Sequence, residues 1–379
     1  MAATPIAQRA PKQLHILQES EPVPSSRPVP GKKVLVRRTD RDTSQQWRRG
    51  FQLAFLLLNV WLGGQFFLWV RNFELGVVQS AVSRPAGVEG WLPIAGMMNL
   101  RYWLLTGRVP AIHPAAMFLL ITFLAMAFLL RKAFCSWLCP IGTVSEWLWR
   151  AGTRMFGRTF QLPRWLDLPL RGLKYLLLGF FVWAVAGMSA EGLEDFLHSP
   201  YGMIADVKML NFFRFLGGAG AGVLGFLVVA SLFLPNFWCR FLCPYGALLG
   251  ITSLFSPLRV RRNPPACIDC AKCARVCPSL LPVDRLLSVK SSECTACMLC
   301  VAVCPAENAL AMQWPHSLVR HRKAAHLPAW ALALGVAVLF LGITGFARAT
   351  GHWNSAIPDS VYRQLVPRAN QAQHPMPGR

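Results

Sequence analysis

The chain has 379 residues, 54% of them hydrophobic and only 15% charged. That apolar share exceeds the range of ordinary soluble domains. The formal net charge of +22 invites a nucleic-acid reading, but the positions of the charges exclude it, because they sort to the two sides of a membrane.

Residues 1–50 are polar, proline-rich and basic, with no apolar stretch near the start. They read as a disordered cytoplasmic tail drawn to anionic lipid, not as a cleavable signal. Apolar runs then predict spans over residues 51–70, 115–130, 173–188, 216–234 and 327–347. A helical run of about 20 residues crosses a hydrocarbon core of roughly 30 Å. With those spans, 29 Lys and Arg fall on one side and 10 on the other. The richer side is the inside, so the N-terminus lies inside and the C-terminus outside. All twelve cysteines fall on the inside face, where reducing conditions disfavour disulfides.

Between the spans, residues 88–103 are apolar enough to lie at the interface, although Glu89 and Arg101 disfavour a full crossing. The second outer loop carries Glu191, Glu194, Asp195 and His198. Gly220-Ala-Gly222-Val-Leu-Gly225 matches a dinucleotide fingerprint but lies in an apolar run with no preceding strand. Close helix packing through Gly218-x3-Gly222 is the better expectation. Tryptophan at span ends reads as an interface belt.

Every cysteine sits in a ligand-like motif. Residues 259–315 hold two copies of C-x2-C-x2-C-x3-C-P, namely Cys267, Cys270, Cys273, Cys277-Pro278 and Cys294, Cys297, Cys300, Cys304-Pro305. Iron–sulfur clusters want four soft thiolates each, and in two-cluster ferredoxins the cysteine before proline serves the other cluster. The expected quartets are therefore Cys267, Cys270, Cys273 and Cys304 for one [4Fe–4S] cluster, and Cys294, Cys297, Cys300 and Cys277 for the second. Zinc sites more often show separated C-x2-C pairs.

The other four cysteines form Cys135-Ser-Trp-Leu-Cys139-Pro140 and Cys239-Arg-Phe-Leu-Cys243-Pro244, offset by 104 residues. This is an internal two-unit repeat. Each copy predicts a span end, a tight break and a new helix starting at proline. Helix dipoles, with Arg131, Lys132 and Arg240 nearby, favour thiolate or an anionic cluster there. One motif supplies two ligands; two motifs at one depth supply four. The expectation is a third iron–sulfur cluster on Cys135, Cys139, Cys239 and Cys243. A redox-active dithiol pair, a flavin or copper contact, and structural cysteines stay open.

The pairing of these motifs with a two-cluster ferredoxin resembles the NapH-type polyferredoxin-like membrane proteins, and is similar to the membrane domains of NosR-like and CcoG-like proteins. The resemblance covers residues 50–315. It implies a multi-pass electron-transfer protein of the bacterial inner membrane with cytoplasmic clusters. Residues 71–115 are too short for the outer flavin-binding domain of NosR-like proteins, and about 32 residues after the last span are too few for the outer immunoglobulin-like domain of CcoG-like proteins.

A membrane carrier needs a donor, and quinol is the natural one. Its oxidation releases protons, so Glu89, Arg101, His113, Glu191, Glu194, Asp195 and His198 are candidates for an outward-facing quinone site, or simply loop charges. None of the eight histidines lies in mid-span and no C-x-x-C-H occurs, so haem has no expected ligands.

The expected fold is an all-α polytopic membrane bundle of about five transmembrane helices, with a small α+β ferredoxin-like cytoplasmic domain. The segments are a tail over 1–50, a four-span membrane domain over 51–258, the two-cluster domain over 259–315, a linker and fifth helix over 316–347, and a periplasmic tail over 348–379. The expected function is electron relay between a membrane donor, quinol, and a redox partner such as a reductase, cytochrome or ferredoxin. That makes it a subunit of a redox complex, not a stand-alone enzyme. A metal-reducing maturation factor and a redox sensor are the alternatives.

Overall fold

The computed structural model describes residues 35–39, 42–77, 82–158, 160–314 and 326–375. The expected disordered tail falls, for residues 1–34, outside the described residues. Its last part is ordered instead. Arg37 forms an isolated antiparallel bridge with Ala306, and α1 (Ser44–Glu74) begins well before the expected span.

A 3-10 turn at Ala86–Trp91 and α2 (Pro93–Thr106) then pack against α3 (Pro114–Leu129). Thus the segment expected at the interface is folded into the bundle, with Glu89 fully buried. A short α4 (Ala133–Trp137) leads into α5 (Pro140–Phe156) and α6 (Arg164–Ala186). On the expected outer side follow α7 (Ala190–His198), α8 (Pro200–Met203) and α9 (Ala205–Arg214). The chain returns through α10 (Gly218–Phe233), a π-helical turn at Trp238–Leu242, and α11 (Pro244–Leu254).

Among the described residues, three helices are long and apolar enough to cross a membrane: α1, α6 and α14 (Ala329–Ala349), which follows the insert. They bury little of their surface; α1 turns Leu57, Val60 and Trp61 outward, as contact with lipid requires. A fourth crossing counts α9 and α10 together, although they meet at 82°. The five expected spans all fall on helices, but α3 and α10 have 16 residues each, fewer than the roughly 20 a straight crossing needs.

Glycine packing differs from the expectation. A Cβ at Gly218 or Gly222 would meet nothing within 4 Å, whereas one at Gly152 would fall 1.8 Å from the Leu232 carbonyl oxygen. Close helix approaches are instead α5 on α10 through Gly152 and α2 on α3 through Gly96, whose Cβ would fall 2.8 Å from the Ala116 carbonyl oxygen.

The insert between α11 and α14 contains β1 (Arg259–Arg262), short helical turns α12 (Lys272–Arg275) and α13 (Leu299–Ala302), and β2 (Leu310–Gln313). β1 and β2 pair antiparallel, with Val260 opposite Met312. Residues 315–325 of the expected linker lie outside the described residues. After α14 the expected outer tail is structured: α15 (Asp359–Leu365) packs Tyr362 edge-on against Trp69 at 4.8 Å.

Candidate functional site: three cysteine quartets

The two loops of the insert have the same backbone. Asp269 and Ala271 have φ of 55°, and the equivalent Ala296 and Met298 have φ of 52° and 56°. These left-handed residues, none of them glycine, turn the chain between successive cysteines. Cys267, Cys270, Cys273 and Cys304 line one small cavity. Cys277 instead lies close enough to Cys294 and Cys297 to interact with them electrostatically, as Cys300 does with all three. Cys277 thus gathers with the second loop and Cys304 with the first, while Cys300 also interacts with Cys273.

Burial pushes the Cys277 thiol up to about 12 and raises Cys297 and Cys300 as well. Cys300 is buried and the other three are half-buried; sulfurs so enclosed carry negative charge only if a cation core compensates them. Among the described residues, no three Cys, His, Asp or Glu side chains gather as they would on a single ion. A cubane, with its larger core, takes a wider ring of sulfurs.

The membrane motifs build alike. Cys139 and Cys243 are the N-caps of α5 and α11, with Pro140 and Pro244 in the first helical turn. Proline cannot continue the preceding helix, and its fixed φ starts the next. The cap acceptor is sulfur: Gly142 N–H donates to Cys139 Sγ at 3.5 Å, and Gly246 N–H to Cys243 Sγ at 3.2 Å. Cys135, Cys139, Cys239 and Cys243 all line one cavity of about 1450 Å³, and their thiols interact electrostatically with one another. N–H donors on sulfur, two helix starts and four thiols on one space suit an anionic iron–sulfur centre.

This quartet adjoins the insert. Ser136 Oγ donates to the Thr295 carbonyl at 2.5 Å and Trp137 Nε1 to the Ala296 carbonyl at 3.1 Å. Gln45 Nε2 reaches the Cys297 carbonyl at 3.0 Å. Residues inside the first C-x3-C-P motif thus hold the loop that carries Cys294 and Cys297, and Cys297 lines the shared cavity. Arg131, expected beside the thiols, donates instead to the Ser253 and Ser291 carbonyls.

The seven outer residues do not form one group. Glu89 and His113 are fully buried, with Glu89 Oε1 3.3 Å from His113 Nδ1 and 2.8 Å from Arg84 Nη1. Asp206, also fully buried, pairs with Arg84 at 2.7 Å. Tyr102 donates to Glu194 at 3.1 Å, and Arg101 to the Met188 carbonyl at 2.7 Å. His198 contacts the Glu194 carbonyl at the surface. The sequence reading missed Arg84 and Asp206, which lie 122 residues apart. It also missed Lys174, a lone charge in an apolar run that meets the insert only in the fold.

Comparison with known proteins agrees with the cysteine arrangement. The profile of a 4Fe-4S binding domain matches residues 112–163 and again 216–263, each containing one C-x3-C-P motif. That of a 4Fe-4S dicluster domain matches 259–305. The chain is 48% identical to YccM of Escherichia coli over 330 residues, covering 86% of this chain and 92% of that one. It is 29% identical to the ferredoxin-type protein NapH of Haemophilus influenzae, over 64% of this chain and 88% of NapH. It is 32% identical to the regulatory protein NosR of Pseudomonas aeruginosa, over 48% of this chain but only 25% of NosR. No solved structure matches. With its apolar helices, its paired motifs and its dicluster insert, the chain belongs to the family of polyferredoxin-like membrane proteins that includes YccM and NapH.

Proposed function

We propose that this protein relays single electrons along three cysteine quartets, from a donor in the membrane to a redox partner at the insert. It is a membrane-associated iron–sulfur electron-transfer protein, acting as an electron-transfer subunit and not as a stand-alone enzyme. The relatives support this: NapH is a ferredoxin-type protein and YccM is described as a candidate electron transport protein. Iron–sulfur centres, when bound, supply one-electron transfer at potentials set by their surroundings.

The ligands we assign are Cys135, Cys139, Cys239 and Cys243 in the membrane domain, Cys277, Cys294, Cys297 and Cys300 next to it, and Cys267, Cys270, Cys273 and Cys304 farthest out. The observation that carries this order is the docking of Ser136 and Trp137 on the loop between Cys294 and Cys297. The outermost quartet is the more exposed one, with Lys272 and Arg275 at the surface beside it, where a soluble partner has access.

The double match of one family profile supports an internal repeat, with its two units donating two thiols each. The charge asymmetry supports five crossings in a bacterial inner membrane, cysteines inside and C-terminus outside. Quinol is the donor we assign. The large cavity runs from the four thiols past Phe55, Leu62 and Phe123 to Arg84 and Trp91, an apolar route fit for a prenyl chain. Glu89, His113 and Asp206, all in contact with Arg84, are the proton-accepting groups at that end.

Iron and acid-labile sulfide analysis of the purified protein tests the third centre. Three cubanes give about twelve iron per chain, and Cys135→Ala with Cys239→Ala lowers this by about a third. A wild-type content near that of two cubanes, unchanged by the double substitution, refutes it.

A further inference from the structure

The membrane quartet stands in a ring of charge with a surplus of cations, buried at Lys132, Lys174, Arg240 and Glu293 and half-buried at Arg171 and Asp167. Lys132, just before α4, is 3% exposed, and Lys174, inside α6, is fully buried. Both lie close enough to the thiols of Cys135 and Cys243 to interact with them electrostatically. The carboxylate they share is Glu293, whose Oε1 is 2.5 Å from Lys174 Nζ and which also interacts with Lys132. One step farther out, Arg240 pairs with Asp167 Oδ1 at 2.5 Å and Arg171 with Oδ2 at 2.6 Å. Four cations face two carboxylates.

Burying unpaired charge is costly and a buried lysine otherwise sheds its proton, so these side chains keep their charge only against an anion. Neutral thiols or two disulfides offer none. Four thiolates around an iron–sulfur core offer a net negative charge that the lysines match. The N–H donors of Gly142 and Gly246 act in the same direction. Glu293, one residue before Cys294, ties this charge balance to the adjoining quartet.

We propose that Lys132 and Lys174 are built-in counter-charges for an anionic tetrathiolate centre at Cys135, Cys139, Cys239 and Cys243, and that they raise its reduction potential while Glu293 lowers it. Net charge and hydrogen bonds to sulfur are the levers by which a protein sets such potentials. The lysines act through the cysteines' surroundings and need not touch a donor or acceptor. The inference rests on the third centre proposed above, and its test separates the two.

The test is a potentiometric titration, followed by electron paramagnetic resonance, of the full chain in detergent. Lys132→Met and Lys174→Met should each lower the midpoint potential of the membrane-site signal, and Glu293→Gln should raise it. The distant Cys267 quartet should not move and serves as the internal reference. A third signal whose potential is the same in the wild type and in both lysine variants overturns the counter-charge role while leaving the centre standing. Iron content of only two cubanes in the wild type overturns both. Should the methionine variants lose the third iron set, Glu293→Gln decides alone: an upward shift supports the proposal, and no shift or a downward one refutes it.

Discussion

Gly142 and Gly246 occupy the same place in the two motifs, three residues after the capping cysteine, yet alanine should act oppositely at them. A Cβ at Gly142 would lie 2.2 Å from the Cys135 carbonyl oxygen; at Gly246 its neighbours, Cys239 O, Cys243 Cβ and Cys243 Sγ, all stand at 3.5 Å. Restoring van der Waals contact at Gly142 means parting α4 from α5 by about 1 Å. Such overpacking costs about 1–3 kcal/mol. Alanine in a helix returns up to about 1 kcal/mol at either position. Gly142→Ala should therefore be destabilising by up to about 3 kcal/mol, and it should displace Cys135 from Cys139. Gly246→Ala should be neutral or stabilising. Thermal unfolding in detergent, with iron counted per chain, compares them. Gly142→Ala is expected to lose iron from the membrane quartet alone, and Gly246→Ala to keep it. Equal iron and equal melting temperatures in the two variants would refute the steric argument.

Three other outcomes follow from the same contacts. Cys277→Ser should alter the resonance of the quartet containing Cys294, and Cys304→Ser that of the quartet containing Cys267; the reverse result rules out crossed ligation. Arg48 is 1% exposed and grips Glu146 with two bonds of 2.6 and 2.7 Å, so Arg48→Met should destabilise in denaturant unfolding, by less than the about 3–5 kcal/mol of a fully orphaned buried charge because Arg150 and Gln52 still hold Glu146, and adding Glu146→Leu should recover part of it. Burial by itself would raise the Glu146 carboxyl, but Arg48, Arg150 and Gln52 hold it below its ordinary value. Its folded value being the lower one, this carboxylate's contribution is whole above about pH 4.5 and lost as pH falls through the folded value; unfolding curves taken from pH 7 downward should show that loss in the wild type and not in Arg48→Met with Glu146→Leu.

Much of the site was legible because its signals are local. Cysteine spacing fixes which thiols share a loop, and proline after cysteine fixes where α5 and α11 start; both helices begin at the expected residues. The charged residues were not legible, because their partners are remote. Lys174 and Glu293 are 119 residues apart, and Arg48 and Glu146 are 98 apart. A lone lysine in an apolar run looks like the edge of a span until the fold brings an acid to it. Span lengths are hard to read for a similar reason. Hydropathy reports burial from water, and α3, packed on α2, α11 and α14, is apolar because protein surrounds it as well as lipid.

The two motifs match in sequence but not in surroundings, and the difference bears on how the relay is held together. Ser136 and Trp137 of the first motif face the insert loop and bond to it. In the second motif the corresponding residues are Arg240 and Phe241, and Arg240 turns to Asp167 on α6. One copy therefore positions the insert and the other fastens the quartet to the bundle. Exchanging the inner residues of the first motif for those of the second would place a guanidinium where Ser136, only 8% exposed, now donates to a carbonyl. The carboxylate nearest that side chain, Glu146, one Gln52 amide away, is already held by Arg48 and Arg150, so the insert should dissociate from the membrane quartet although all twelve cysteines remain. Limited proteolysis of the insert measures this directly: faster cleavage in the exchanged protein is the expected result, and an unchanged rate would show that the remaining contacts, Lys174 with Glu293 and Tyr175 with Ser292, suffice to hold it.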